Sequence, residues 1–258
     1  MAKKWAKFPH ADKAYVYDAA ALKKQWPRLH RGDCEALPKD AAALEAWRHY
    51  HAGEFAQAVD AGNAAGGAGV NAAIKAQVVY ATYLEKSDKA KLALLDEAMA
   101  WGEARRGAAP KDPNAHYFFA FAAGRYGQGI SVAKALAQGL GGKVRDALQA
   151  AIKLEPKHAD AHIAYGSYQA EVIDKVGGLV AAMTYGAKKD SALEYFQKAL
   201  KLNPDSAIAR VEYANGLIML FGKTRLADAE KLYREAAACK PADAMERLDV
   251  ELAKSELA

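Results

Sequence analysis

The sequence predicts an all-α fold, an irregular array of helical hairpins, on three observations. Alanine, the best helix former, supplies 61 of the 258 residues, while β-branched residues are sparse. One phrase, Ala-x3-aromatic-x2-Ala-x4-Pro, recurs as Ala192, Phe196, Ala199, Pro204 and as Ala229, Tyr233, Ala236, Pro241, with a weaker copy at Val144, Leu148, Ala151, Pro156. Spacings of four and three put these residues on one helical face, and the proline ends the helix. The segments after the prolines also align: His162, Tyr165 and Gly166 follow Pro156 at the offsets of Arg210, Tyr213 and Ala214 after Pro204, and of His116, Phe119 and Ala120 after Pro110.

A large residue, an aromatic and a small residue, then a second helix with Ala, aromatic, Ala and Pro, resembles the helix-turn-helix unit of tetratricopeptide repeats. That resemblance implies a right-handed α-solenoid of about four or five hairpins, with small residues where helices approach and aromatics between neighbouring hairpins. The proline intervals, 46, 48 and 37 residues, depart from the family's 34, so some hairpins are lengthened.

Residues 1–40 carry Pro9, Pro27 and Pro38 and hold nine Lys/Arg against five Asp/Glu, and read as a basic N-terminal extension to a repeat domain over 41–258. A helix is expected over 41–51, with Gly53-Glu54-Phe55 turning into its partner. Gly67-x-Gly69-x2-Ala72 formally fits a dinucleotide fingerprint, but helix rather than strand precedes it, and the glycines read as a break between helices. A helix over 92–106 is linked through Pro110 and Pro113 to one over 114–126. Glycines then bracket the apolar segment 130–136, ahead of a helix over 144–154. A second apolar segment, 176–185, occupies the corresponding place in the next unit, and these two insertions account for the long intervals. Gly222-Lys223-Thr224 lacks the earlier glycine of a phosphate loop and reads as the hairpin turn before 226–239.

The order Gly127-x-Gly129-Ile130, Ala151-Ile152-x-Leu154-x-Pro156, Tyr185-Gly186 and Ala192-Leu193 is similar to the helical domain of the regulator-of-microtubule-dynamics family over about residues 90–240. It also resembles the tetratricopeptide-like component that accompanies some bacterial TRAP transporters. The first resemblance implies a partner-binding helical domain, associated in some members with lipid or membrane contact sites. No residue here carries a microtubule role.

Nothing in the sequence signals chemistry. There is no GxSxG and no HExxH, His158 and His162 lack a third metal ligand, and Cys34 and Cys239 form no CxxC pair, so neither a cofactor nor a metal is expected and the chain reads as non-enzymatic. No dense basic block points to nucleic acid, no 18-residue apolar run predicts a transmembrane segment, and no leader pattern opens the chain, which favours the cytoplasm. The expected function is a protein-interaction scaffold whose concave groove binds a partner protein or peptide. Its groove positions by alignment are Tyr117, Phe121, Arg125, Ile163, Ser167, Glu171, Val211, Asn215 and Met219. The tetratricopeptide resemblance implies that Asn215 bonds a partner's backbone, while Ile163 and Val211 stand where a carboxylate clamp carries lysine, which argues against an acidic chain terminus as ligand. The alternative is a carrier of a hydrophobic small molecule or lipid, held in a tunnel of Ile130, Val132, Leu136, Leu179, Val180 and Met183.

Overall fold

A computed structural model describes residues 5–258; the first four residues of the N-terminal extension, where a leader would begin, lie outside the described residues. The fold is an all-α, tetratricopeptide-like array without strands among the described residues. Its hairpins are α2 (Ala41–Ala52) with α3 (Phe55–Ala65), α4 (Gly69–Tyr83) with α5 (Asp88–Ala108), α6 (Pro113–Ile130) with α8 (Leu140–Leu154), α9 (Ala159–Val176) with α11 (Lys189–Leu202), and α12 (Ala207–Phe221) with α13 (Leu226–Ala237). The last helix, α14 (Ala244–Ser255), packs on α12, α13 and α2. The first insertion folds as α7 (Val132–Ala137), and the second as a single turn, α10 (Gly178–Val180), followed by a wide turn over Ala181–Tyr185.

The repeated phrase works as its spacing predicts. Phe196 is fully buried on α11, with Gly166 of α9 on one side and Gly216 of α12 on the other; a β-carbon at either glycine would meet the ring at 3.0 or 2.6 Å. The residue six positions after each proline has a local task. His116 Nε2 donates to the Pro110 carbonyl at 2.9 Å and His162 Nε2 to that of Pro156 at 3.0 Å, closing the loop that leads into each first helix. Side chains before these helices cap them: Asp112 accepts from Asn114 N–H ahead of α6, His158 Nδ1 from Ala161 N–H ahead of α9, and Ser206 from Ala209 N–H ahead of α12.

Residues 5–40, read from the sequence as an extension, are woven through the array. Trp5 stacks on Tyr80 of α4, with centroids 4.0 Å apart, and Phe8 lies against Gly53 at the turn after α2. The arm's helix α1 (Ala19–Leu29) buries Leu22 and Trp26, and Arg28 grips Glu246 of α14 through two bonds of 2.6 and 3.0 Å. Beyond it, the Gly32 carbonyl accepts from Asp160 N–H at the start of α9. The arm therefore ties the first hairpins to the last helix.

Candidate functional site

First helices of successive hairpins line one face of the array. On that face, between α6, α9 and α12, lies a cavity of about 980 Å³, part of it open to solvent. Its wall is mostly apolar: Phe121 from α6, Ile163 and Val172 from α9, Val144 and Leu148 from α8. The short helix α7, which touches α6, α8 and α9, adds Val132, Ala135 and Leu136 along one side. Ser131 sets the direction of α7 with φ 87°, a left-handed value rare for a residue with a side chain, and its hydroxyl caps α7 by accepting from Lys134 N–H.

Tyr117, Phe121, Arg125, Ile163, Ser167 and Glu171 all line this cavity. Val211, Asn215 and Met219 do not. Val211 is buried between helices, Asn215 Oδ1 accepts a short hydrogen bond from the Tyr233 hydroxyl of α13, and Met219 is exposed away from the cavity. In their place α12 presents Ile208 and Glu212. The caps of α9 and α12, His158 and Ser206, are 206 − 158 = 48 residues apart, so Ile208 and Glu212 correspond to Asp160 and Ala164 of α9, which also line the cavity. The central helix α9 shows both edges of its face, whereas flanking α12 shows only the edge turned toward it. Alignment alone selects the opposite edge.

The six-residue apolar tunnel does not form. Val132 and Leu136 line the cavity, but Ile130 does not, and Leu179 and Met183 are 75% and 80% exposed, with Val180 also exposed. The second insertion turns outward, away from the cavity.

Polar groups collect toward the C-terminal ends of α6 and α9. Arg125 Nη2 binds Glu212 Oε1 at 2.9 Å, Ser167 Oγ donates to Glu212 Oε2 at 3.0 Å, and Gln128 donates a short bond to Glu171. Burial, and then the neighbouring Glu212 carboxylate, push Glu171 up to about 7. Tyr168 also lines the cavity, and its buried hydroxyl has no hydrogen-bond partner among the described residues.

Beside the cavity the arm encloses a polar core. Lys75 of α4 reaches Asp33 at 2.6 Å; Asp33 also faces His30 at 2.9 Å, His30 faces His51 at 3.2 Å, and His51 meets Asp243 of α14 at 2.7 Å. Glu35 accepts from Asn71 and Asn114, and His158 Nε2 donates to Asn114 Oδ1. Burial pushes Glu35 up to about 8 and Asp249, which accepts from the Tyr83 hydroxyl, also to about 8; burial pulls His30 and His158 down to about 4. The raised carboxyls add stability that is complete below their unfolded values and is lost as pH climbs through 8. The depressed imidazoles subtract stability as pH falls from 6.5 toward 4. Between pH 4.5 and 6.5 the two trends oppose each other, and above it only the carboxyl trend remains. The melting temperature is therefore expected to fall by several degrees between pH 6.5 and 9, and Glu35→Gln to flatten that decline; a flat wild-type profile would contradict the assignment.

These groups are buried and engaged with one another. Cys34, the thiol nearest in sequence to His30, is pushed up to about 12 by burial and by Glu155, so it stays a thiol at neutral pH. Among the described residues no three His, Cys, Asp or Glu side chains converge on a metal position, and no helix is long and apolar enough to cross a membrane.

Residues 71–256 match the family model of regulator of microtubule dynamics proteins 1–3. The chain belongs to that family. No curated protein matches. A solved tetratricopeptide-repeat protein from the thermophile Thermus thermophilus superposes with a TM-score of 0.57 over 83% of this chain and 97% of that one, at 16% identity, a likeness of fold. The regulator-of-microtubule-dynamics match spans α4 to α14 and so includes the entire cavity wall.

Proposed function

We propose that the protein is a non-catalytic interaction scaffold that takes an apolar segment of a partner protein into the cavity between α6, α9 and α12. The observation that carries this reading is the apolar cavity on the face formed by the first helices, rimmed by Arg125, Ser167, Glu171 and Glu212. Specificity would come from the few polar groups that fix orientation, and affinity from burial of the partner's apolar side chains. Cytoplasmic residence belongs to the same reading, supported by two unpaired thiols, Cys34 and Cys239.

Gly124 offers the test. It lines the cavity from the middle of α6, and a β-carbon there would meet nothing within 4 Å. Gly124→Trp should fill the space, keep helicity, and weaken capture of any partner retained by the wild type at least tenfold. Undiminished capture would place the partner elsewhere. A second reading, a free hydrophobic molecule or lipid as occupant, is supported by α7, which covers one side of the cavity as the wall of a ligand pocket does. Organic extraction of the purified protein, followed by mass spectrometry, should then recover a compound from the wild type that Gly124→Trp lacks.

A further inference from the structure

We propose that the group entering this cavity is an aliphatic chain ending in a primary ammonium, with the nitrogen seated at Glu171 and the chain lying among Phe121, Ile163, Val144 and Leu148. The inference rests on the reading of the cavity as the binding site and specifies the chemistry of its occupant. Two observations carry it: the lining of the cavity and the charge count at one end.

The cavity is lined along α6, from Tyr117 to Gln128, and along α9, from Asp160 to Val172. From Asp160 to Glu171 on α9 the helical rise gives a length of roughly 16 Å, and both residues line the cavity. An elongated apolar space of this kind suits a chain better than a compact ring system. At the Glu171 end, two carboxylates, Glu171 and Glu212, face one guanidinium, Arg125, which is already engaged with Glu212 at 2.9 Å. Gln128 gives Glu171 only an amide N–H, and Lys175, one turn further along α9, is paired with Asp174 at 2.7 Å. With both carboxylates ionised this end has one negative charge in excess, in a setting where burial strengthens the attraction of a cation and the repulsion of an anion. A carboxylate or phosphate head would sit against Glu171 without a free guanidinium to receive it. An ammonium supplies the missing positive charge and three donors. At the opposite end burial pushes Asp160 up to about 7 against the pull of Lys75, whose ammonium is paired with Asp33.

Glu171 must be ionised to receive the ammonium. The groups facing it are Arg125 and Gln128 from α6, Glu212 from α12 and Lys175 on its own helix, and their combined effect with burial leaves it near 7. Binding should therefore tighten as pH rises from 6 to 8.

The test is calorimetry on the full chain with octyl-, decyl- and dodecylammonium, each below its micellar concentration, against the matching alkyl carboxylates. The ammonium ions should bind and the carboxylates should not. Glu171→Gln should weaken ammonium binding at least tenfold while the chain keeps its helicity and cooperative unfolding, and Gly124→Trp should abolish it. A blocked heptapeptide with a central lysine flanked by leucines separates the two sources of such a group: competition with the alkylammonium assigns it to a partner's lysine, and lack of competition to a free amine. Equal binding of alkyl carboxylates, or unchanged affinity in Glu171→Gln, would overturn the proposal. If no ammonium binds but Gly124→Trp still loses its protein partner, the cavity remains the site and the ammonium assignment fails. If Gly124→Trp retains every ligand, the cavity reading itself fails.

Discussion

Replacing Lys75 with methionine is expected to lower the unfolding free energy by about 3–5 kcal/mol, the cost of breaking a buried ion pair from one side. Lys75 and Asp33 are both buried, with Nζ 2.6 Å from Oδ2, and the ammonium lies 5.2 Å from the Tyr50 ring centroid and within 6 Å of those of Trp47 and Phe118. Burial alone would raise the Asp33 carboxyl, but Lys75 and then His30 hold it well below the usual carboxylate range. Methionine matches the length of the lysine stem and fits among the rings, so the loss is chiefly electrostatic. Asp33 would be left as a charge in a dry interior, and its segment, Arg31-Gly32-Asp33, would loosen from α9. Denaturant unfolding should show the loss, limited proteolysis should open the chain near residues 31–35, and adding Asp33→Asn should restore part of the stability. A change below about 1 kcal/mol would mean that the pair is not the anchor of the arm.

Phe196→Ala is expected to cost about 3–5 kcal/mol, the range for removing a fully buried phenylalanine. The ring is inserted between Gly166 and Gly216 and stacks on Tyr213, with centroids 5.2 Å apart, so its loss opens a void shared by three helices, α9, α11 and α12. Neither glycine has a side chain that can move in, and both helices are held at their N-terminal ends by caps. A double replacement, Phe196→Ala with Gly166→Ala, should recover only a small fraction, since one methyl group cannot fill the volume of a phenyl ring. A loss under about 1.5 kcal/mol, read from denaturant unfolding, would show that the neighbouring hairpins close up around the void.

The hairpins themselves were legible in the sequence because their signals are local. Prolines end helices, small and aromatic residues recur at helical spacing, and Gly166 opposite Phe196 occupies the small-residue position that the repeat predicts, whereas Gly216 lies two residues beyond that position on α12. The cavity was partly legible for the same reason: Tyr117, Phe121 and Arg125 on α6, and Ser167 and Glu171 on α9, fall on one face by periodicity. Asn215 and Met219 fall on the corresponding positions of α12 by alignment, but a flanking helix meets the cavity with a different edge, and spacing within one helix carries no record of how its neighbours are rotated. The two insertions share an apolar composition and diverge in fate. Val132 and Leu136 turn inward because α7 folds back across α6 and α9, whereas Leu179 and Met183 project from a turn with no helix over it. Least legible was the N-terminal arm. Its partners, from Tyr80 to Glu246, lie as far as 225 residues away, and no periodicity marks them.

The grip of Arg28 on Glu246, of His51 on Asp243 and of Tyr17 on the Ala242 carbonyl, at 2.6 to 2.7 Å, changes the kind of molecule this array is. In an open solenoid each repeat meets only its neighbours, so unfolding can start at an edge and spread unit by unit. Here the first and last units share contacts, and the largest ring in the fold closes only after nearly all of the chain is in place. Cooperativity passes from the repeat to the whole: loosening any hairpin strains the clasp that joins the others, and the array gains or loses its structure as one body.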